Sequence, residues 1–477
     1  MSRTLRARVG AVALSATLAV TAAACGQKAG VEQAYPAGVA VAPDGSVVGG
    51  VEAQGNPLAP GAGGGAGLGS AAGPGASGPG VAGSEGAGGS GGGGGTSNEA
   101  PMASGGSAAG GDTTGVTAST IKIGVHAPVT GAAAIPQQSF ERAVGVYFDY
   151  VNRRGGFHGR KVQVVFEDDQ FRPDVARAKC KEMAEQEKVF ALIGGAGSDQ
   201  IDACARYAAS MGVPYLSAGV HQTRPGQAAL SSLPTYFAVS LTYEQQVPLL
   251  ARLYGSEYRG DTVVVLTADN DSLDGYHASV ASAISRAAGD DLAYAERVPK
   301  NVQSEAVSIG TKICNSGAKA VVWNASPSSL LNVVKSMPCR VGFMGPGLTN
   351  GLNVVAQVGC PNIDNAMFYS TFPGMDVMRR NAKFVQAYRE KNNGASPDDI
   401  GAAIYAIESA VGMMLQAAGK NLTRQGFMAG IARTRTFNTG VLPPTNFSSR
   451  LGGTAMHLLQ ADCNRQEYVT KRQNERP

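Results

Sequence analysis

No two of the seven cysteines stand two to four residues apart, and the whole chain has only five histidines, so the common zinc spacings are missing. No strand-like run is followed by G-x-G-x-x-G, which removes the dinucleotide fingerprint. Aromatic side chains make up 6% and charged ones 16% of 477 residues, and the formal charge of +4 forms no basic patch interleaved with aromatics. A nucleic-acid partner is therefore not implied. Gly195-Ala196-Gly197-Ser198-Asp199 has a passing likeness to a nucleophile elbow but lacks its final glycine, and no Ser, Asp and His order supports a triad. The adjacent carboxylates Asp168 and Asp169 end a strand and so point to opposite faces. Neither catalysis, a metal nor a cofactor is expected.

What the chain does contain is uneven. Arg3, Arg6 and Arg8 precede an apolar run over 9–20, then Thr21-Ala22-Ala23-Ala24-Cys25. Residues 1–24 read as a secretory signal with a small-residue cleavage site, too short to span a bilayer. The Ala22–Cys25 stretch resembles a bacterial lipobox, with Ala22 where leucine is more usual, and makes Cys25 the expected lipidation site. Ordinary cleavage after Ala24, leaving a free Cys25, is the alternative. Residues 25–116 are dominated by Gly, Ala, Ser and Pro, with Tyr35 the one aromatic, and are too poor in apolar side chains to offset chain entropy. They read as a flexible tether, and about ninety such residues reach on the order of 50 Å. Lipidation of Cys25 would leave six cysteines, an even number that suits three disulfides outside the cytoplasm.

From Thr117 onward the composition is that of a globular protein. Residues 120–126 (TIKIGVH) read as a strand, 138–152 as a helix with Val144, Phe148 and Val151 on one face, and the stretch NRRGGFHGRKVQVVFEDD as turn, strand and acidic strand end. Pro173 opens a helix to 187. Strands at 189–193 and 213–217 flank a helix that Ser198 or Asp199 would cap. After 236–239 a second series of alternating helices and strands runs from 243 to 369. Two long helices, 379–391 and 398–418, follow, then strand material over 456–469 and a charged tail. This alternation implies an α/β fold with two doubly wound, Rossmann-like lobes.

Ile121-Lys122-Ile123-Gly124 with Thr130-Gly131, the NRRGGFHGRKVQVVFEDD stretch, Leu192-Ile193-Gly194-Gly195 with Ser198, Pro214-Tyr215-Leu216-Ser217 and Phe343-Met344-Gly345-Pro346 occur in order over about 350 residues. Together they resemble the type I periplasmic solute-binding proteins of the branched-chain amino acid class, those similar to the leucine/isoleucine/valine-binding protein, in an actinobacterial-type lipoprotein. The resemblance implies two lobes joined by three hinge crossings, near 236–241, 369–373 and 441–446. The first lobe would comprise 117–239 plus 370–443, the second 240–369 plus 444–477. It further implies three disulfides that leave closure free, Cys180 with Cys204, Cys314 with Cys339, and Cys360 with Cys463. The implied role is capture of a small molecule for an ABC permease at the membrane, with a surface sensor as the alternative and an adhesive or structural lipoprotein as a third.

Carried over by position, the ligand site would comprise Thr130, Gly131, Pro136, Ser198, Val220 and His221 from the first lobe and Ser272, Ala325 and Gly347 from the second. Ser198 precedes the amides of a helix start, where an anion is favoured, although serine is also a common plain N-cap. Gly347 stands where relatives that bind amino acids carry a glutamate for the ammonium group. That departure implies a ligand other than an ordinary aliphatic amino acid, unless Asp199, Asp269, Asp271 or Asp274 substitutes. His221 is either a pH-sensitive anchor or a solvated turn residue. Trp323, the single tryptophan, is expected in the core rather than on the ligand.

Overall fold

A computed structural model describes residues 111–477 and two short paired strands, β1 (Val39–Val41) and β2 (Val47–Gly49). The expected signal segment, Cys25 and most of the expected tether lie outside the described residues.

The first sheet contains β3 (Thr120–Ala127), β4 (Lys161–Asp168), β5 (Ala191–Gly194), β6 (Tyr215–Ser217) and β7 (Tyr236–Ala238), all parallel, in the order β4-β3-β5-β6-β7. The second contains β8 (Val263–Ala268), β9 (Leu292–Val298), β10 (Ala320–Asn324), β11 (Gly342–Pro346) and β12 (Met367–Ser370), in the order β9-β8-β10-β11-β12. Both sheets thus reverse direction beside their first strand. In such sheets a ligand crevice opens at the carboxyl ends, where the order reverses. Central strands such as β8 (VVVLTA) and β10 (AVVWN) are buried along their whole length, as parallel strands covered on both faces must be.

The crossover helices of the first lobe are α1 (Gln137–Ala143), α2 (Val146–Asn152), α3 (Pro173–Glu185) and α4 (Ser198–Ser210). Those of the second are α5 (Tyr243–Glu257), α6 (Asp274–Ala288), α7 (Ala306–Asn315), α8 (Pro327–Ser336) and α9 (Asn353–Gly359). The expected single helix over 138–152 is two helices, because Gly145 adopts φ 81° and the buried carboxyl group of Glu408 accepts hydrogen bonds from Gly145 N (2.5 Å) and Tyr147 N (2.9 Å). A side chain thereby satisfies amides at the start of α2 that have no partner within the helix.

After β12 the chain returns to the first lobe as α10 (Met375–Met378), α11 (Ala382–Lys391), α12 (Asp399–Ala418) and α13 (Arg424–Thr434), a helix absent from the sequence reading. Asp398 caps α12, accepting from Gly401 N at 2.7 Å. Phe384, Tyr405, Met414 and Phe427 join Ile123, Phe140 and Phe190 in one buried cluster. The hairpin β13 (Thr436–Phe437) and β14 (Thr445–Asn446) also belongs here, with Phe437, Val441, Leu442 and Phe447 in the same cluster. The third crossing therefore falls near 452–455, later than the expected 441–446. The hairpin's apolar side chains are spent on the first core, and Leu451 still pairs with Ala238. The last strands, β15 (Met456–Asp462) and β16 (Glu467–Glu475), extend the second sheet antiparallel, so the expected charged tail is strand.

The three crossings lie side by side. Ser240 Oγ accepts from Thr371 Oγ1 at 2.6 Å, Gly452 N donates to Ala238 O at 2.8 Å, and a Cβ at Gly453 would lie 2.0 Å from the Ser240 carbonyl carbon. Only glycine fits that approach. The disulfides Cys180–Cys204, Cys314–Cys339 and Cys360–Cys463, with Cα separations of 5.8, 5.8 and 5.5 Å, each lie within one lobe. None of them crosses the hinge.

Candidate functional site: an interlobe cleft

Between the carboxyl ends of the two sheets lies a cleft enclosing about 520 Å³ of space not filled by atoms, its open mouth included. From the first lobe come Phe171, the Ala196–Gly197 bend, Ser198 and Asp199. The second lobe contributes Tyr243, Asn270, Lys300, Asn324, Ala325 and the loop after β11, Leu348 to Asn350. The wall is mixed, with apolar faces from Phe171, Leu273 and Leu348 and polar groups at the strand ends, as small-molecule sites require.

Several contacts join the lobes around this space. Ser198 Oγ and Ser272 Oγ are 2.9 Å apart, and Lys300 Nζ is hydrogen-bonded to Asp199 Oδ2. The same ammonium lies 5.1 Å from the centre of the Phe171 ring, a favourable cation–π position. Ser328 Oγ donates to Ala132 O at 2.8 Å, and Arg224 pairs with Asp271 at 3.2 Å. Asn353 N donates to Asp399 Oδ2 at 2.7 Å on the hinge side. The lobes are closed on one another.

Ser198 is the first residue of α4, but the N-cap is Gly197 and no side chain caps this helix. Its hydroxyl goes to the other lobe instead, so the plain N-cap reading does not describe it. Ser272 meets it at the neck of the cleft, and Ala325 lines the wall.

The remaining expected residues lie elsewhere. Thr130 donates its hydroxyl to Asp168 Oδ2, and Gly131, at φ 88°, packs where a Cβ would sit 2.1 Å from Gln170 O. They shape the loop after β3, which touches the second lobe one residue later, at Ala132. Pro136 is the buried residue before α1. Val220 O accepts from Tyr243 N at 2.8 Å, and so supports the cleft from behind.

His221 is neither solvated nor in the cleft wall. It is fully buried, with Nε2 3.0 Å from Asp202 Oδ1, and Asp202 also binds Arg206 and Arg224. Burial alone would raise the Asp202 pKa, but the hydrogen bonds from His221 and Arg206 outweigh it and bring it down to about 2. Gly347 sits on the reverse side of the β11–α9 loop, and a Cβ there would lie 2.7 Å from Phe368 Cβ and 2.9 Å from Tyr369 O. No glutamate fits that position. Of the four acids weighed as substitutes, Asp271 and Asp274 pair with Arg224 and Arg297, while Asp199 lines the cleft.

Trp323 is fully buried edge-on to Phe343, 6.2 Å between ring centres, and is core. A second buried polar cluster has the residue types of a catalytic chain, with His126 Nδ1 2.8 Å from Asp169 Oδ2 and Nε2 2.7 Å from Tyr215 Oη. All three are fully buried beneath Gly194, where a Cβ would collide with Tyr215 Oη, so no substrate reaches them. The nearby sulfurs of Cys180 and Cys204 are bonded to each other, leaving no thiolate for a metal.

Lys300, Asn324 and Asn350 went unnoticed in the sequence. The asparagines end β10 and follow β11, the positions where an open sheet presents side chains to its crevice, and that rule alone could have found them.

Two lobes of equal strand order, three adjacent crossings and a closed polar cleft between strand ends define a ligand-trapping protein of the type I periplasmic binding class. Residues 120–464 match the periplasmic binding protein family, and the chain belongs to that family. It is similar to the isoleucine complex of a branched-chain amino acid transporter substrate-binding protein from Streptococcus pneumoniae. Identity there is 21%, TM-score 0.60, covering 74% of this chain and 99% of that one. A solute-binding protein of an ABC transporter from Rhodopseudomonas palustris, in complex with 3,4-dihydroxybenzoic acid, has 16% identity and TM-score 0.61, covering 75% and 98%. A fatty acid ABC transporter substrate-binding protein from Thermomonospora curvata has 17% identity and TM-score 0.63, covering 77% and 95%. An amino acid binding protein from Pseudomonas aeruginosa is 32% identical over 74 residues, 16% of this chain and 20% of that protein. The match thus spans a fifth of that relative's length.

Proposed function

We propose that the chain is an extracytoplasmic solute-binding lipoprotein, anchored through Cys25, that captures a small molecule between its lobes and delivers it to the permease of an ABC importer. The observation that carries this reading is the cleft itself, built from both sheets' carboxyl ends and bridged by Ser198–Ser272 and Lys300–Asp199 beside a hinge of three single-stranded crossings. Closure about such a hinge sequesters a ligand from water and presents one shape to a partner. What supports binding is the wall's make-up of hydroxyls, amides and one ion pair at strand ends. An amino acid-like, amide or other small polar or aromatic compound suits its size and mixed wall.

Thermal melting of the chain against amino acids, amides, aromatic acids and sugars tests the binding step, because a ligand that binds only the folded state raises the midpoint. Uptake of the responding compound by cells with and without the chain tests delivery. Loss of uptake supports transport; unchanged uptake with intact binding supports the sensor.

A further inference from the structure

The lining of the cleft carries an imbalance between hydrogen-bond donors and acceptors. Asp199 is 7% exposed, and its Oδ2 is taken by Lys300 while its Oδ1 is buried with no hydrogen-bond partner. Asn350 is 2% exposed. Its Nδ2 donates to Ala325 O at 3.0 Å, which fixes the amide so that the other end is the carbonyl, and Oδ1 is likewise buried and unpartnered. Asn324 Nδ2 is unpartnered too, but nothing fixes that amide, and it can turn either way. The two unpartnered side-chain groups of fixed orientation in the wall are both acceptors, beside the Lys300 ammonium and the first amides of α4 as donors. Buried acceptors left unpaired are costly, and the cost is larger for a carboxylate.

We propose, building on the solute-binding reading, that Asp199 and Asn350 are specificity-determining residues that oblige the ligand to present N–H or O–H donors, an ammonium or amide group foremost. Lys300 is the second element of this selection. It balances the Asp199 charge, so an added ammonium meets a wall that is neutral overall, and it offers a donor to the ligand's acceptor end. A carboxylate anion without donors leaves both acceptors unpaired. The acceptor for an ammonium or amide group is thus supplied from the first lobe at Asp199 Oδ1, not at Gly347, where packing excludes a side chain.

The test is calorimetric titration of the full chain with L-isoleucine, L-phenylalanine and benzamide as donor-bearing probes and benzoate as the donor-free probe. The same titrations are run on Asp199→Asn and Asp199→Ser, with ligand-free melting curves confirming that the variants fold. The expected result is binding of at least one donor-bearing probe, no comparable binding of benzoate, and a loss of about tenfold to a hundredfold in both variants. Benzoate binding more tightly than the donor-bearing probes overturns the proposal and leaves solute binding standing, as does an affinity for those probes that both variants leave unchanged. No response to these probes overturns the donor requirement, and no response to a broad small-molecule library overturns the solute-binding reading as well.

Discussion

Ser198 Oγ and Ser272 Oγ, one on each lobe, lie 2.9 Å apart at the neck of the cleft, and both residues are buried. The contact exists only when the lobes are closed, and it leaves no room for a larger side chain. Ser272→Leu therefore holds the lobes apart. Ligand affinity in titration is expected to fall about tenfold or more, while melting of the ligand-free chain changes little.

Glu408 gives the fold a pH dependence. Burial raises its pKa to about 8, against the opposing hydrogen bonds from Tyr147 and Gly145; Asp149 adds to the rise and Lys391 opposes it. Between an ordinary unfolded value near 4.5 and about 8, the folded chain holds a proton that the unfolded chain has lost. The stability from this group is thus full at low pH and lost as pH rises through about 8. The melting midpoint is expected to fall from about pH 6 to about pH 9. Glu408→Gln is expected to flatten that fall, at a cost of about 1–3 kcal/mol for the backbone N–H left without an acceptor.

The buried chain Asp169–His126–Tyr215 is structural. His126→Leu leaves Asp169 Oδ2 and the Tyr215 hydroxyl without their partner, and each buried polar group left without a hydrogen bond costs about 1–3 kcal/mol. Urea denaturation should show that loss. Ligand affinity of the folded fraction should persist, because none of the three lines the cleft.

At Gly347 the expected outcome separates two accounts. If a missing acid there set the ligand, Gly347→Glu would create an ammonium site. The packing against Phe368 and Tyr369 predicts instead a loss of about 1–3 kcal/mol in denaturation and no gain in affinity for amine-bearing probes.

How much of this the sequence carried depends on the distance over which each feature is decided. Strand runs such as TIKIGVH and KVQVVFED are local patterns, and the order of elements followed from them. The break between α1 and α2 is caused by Glu408, 263 residues from Gly145, and no local pattern announces it. The third crossing was misplaced because hairpin residues Val441 and Leu442 fill a core made by distant helices. Ser198 was legible as a helix start after a strand end, while Ser272 and Ala325 were carried over by position from the family resemblance. His221 was placed in the cleft because its turn follows β6, but Asp202, one helix earlier, draws the ring inward. Lys300 was missed because its partners, Asp199 and Phe171, lie on the other lobe and meet it only on closure.

The central claim is that the two lobes close on a small molecule. The most direct measurement is the distance between spin labels at the exposed residues Lys181 on α3 and Lys312 on α7, recorded without and with L-isoleucine, L-phenylalanine or benzamide. The account predicts a broad or longer distance that shortens and narrows at saturation with a probe that binds. A distance distribution that saturating amounts of a bound probe leave unchanged would contradict it.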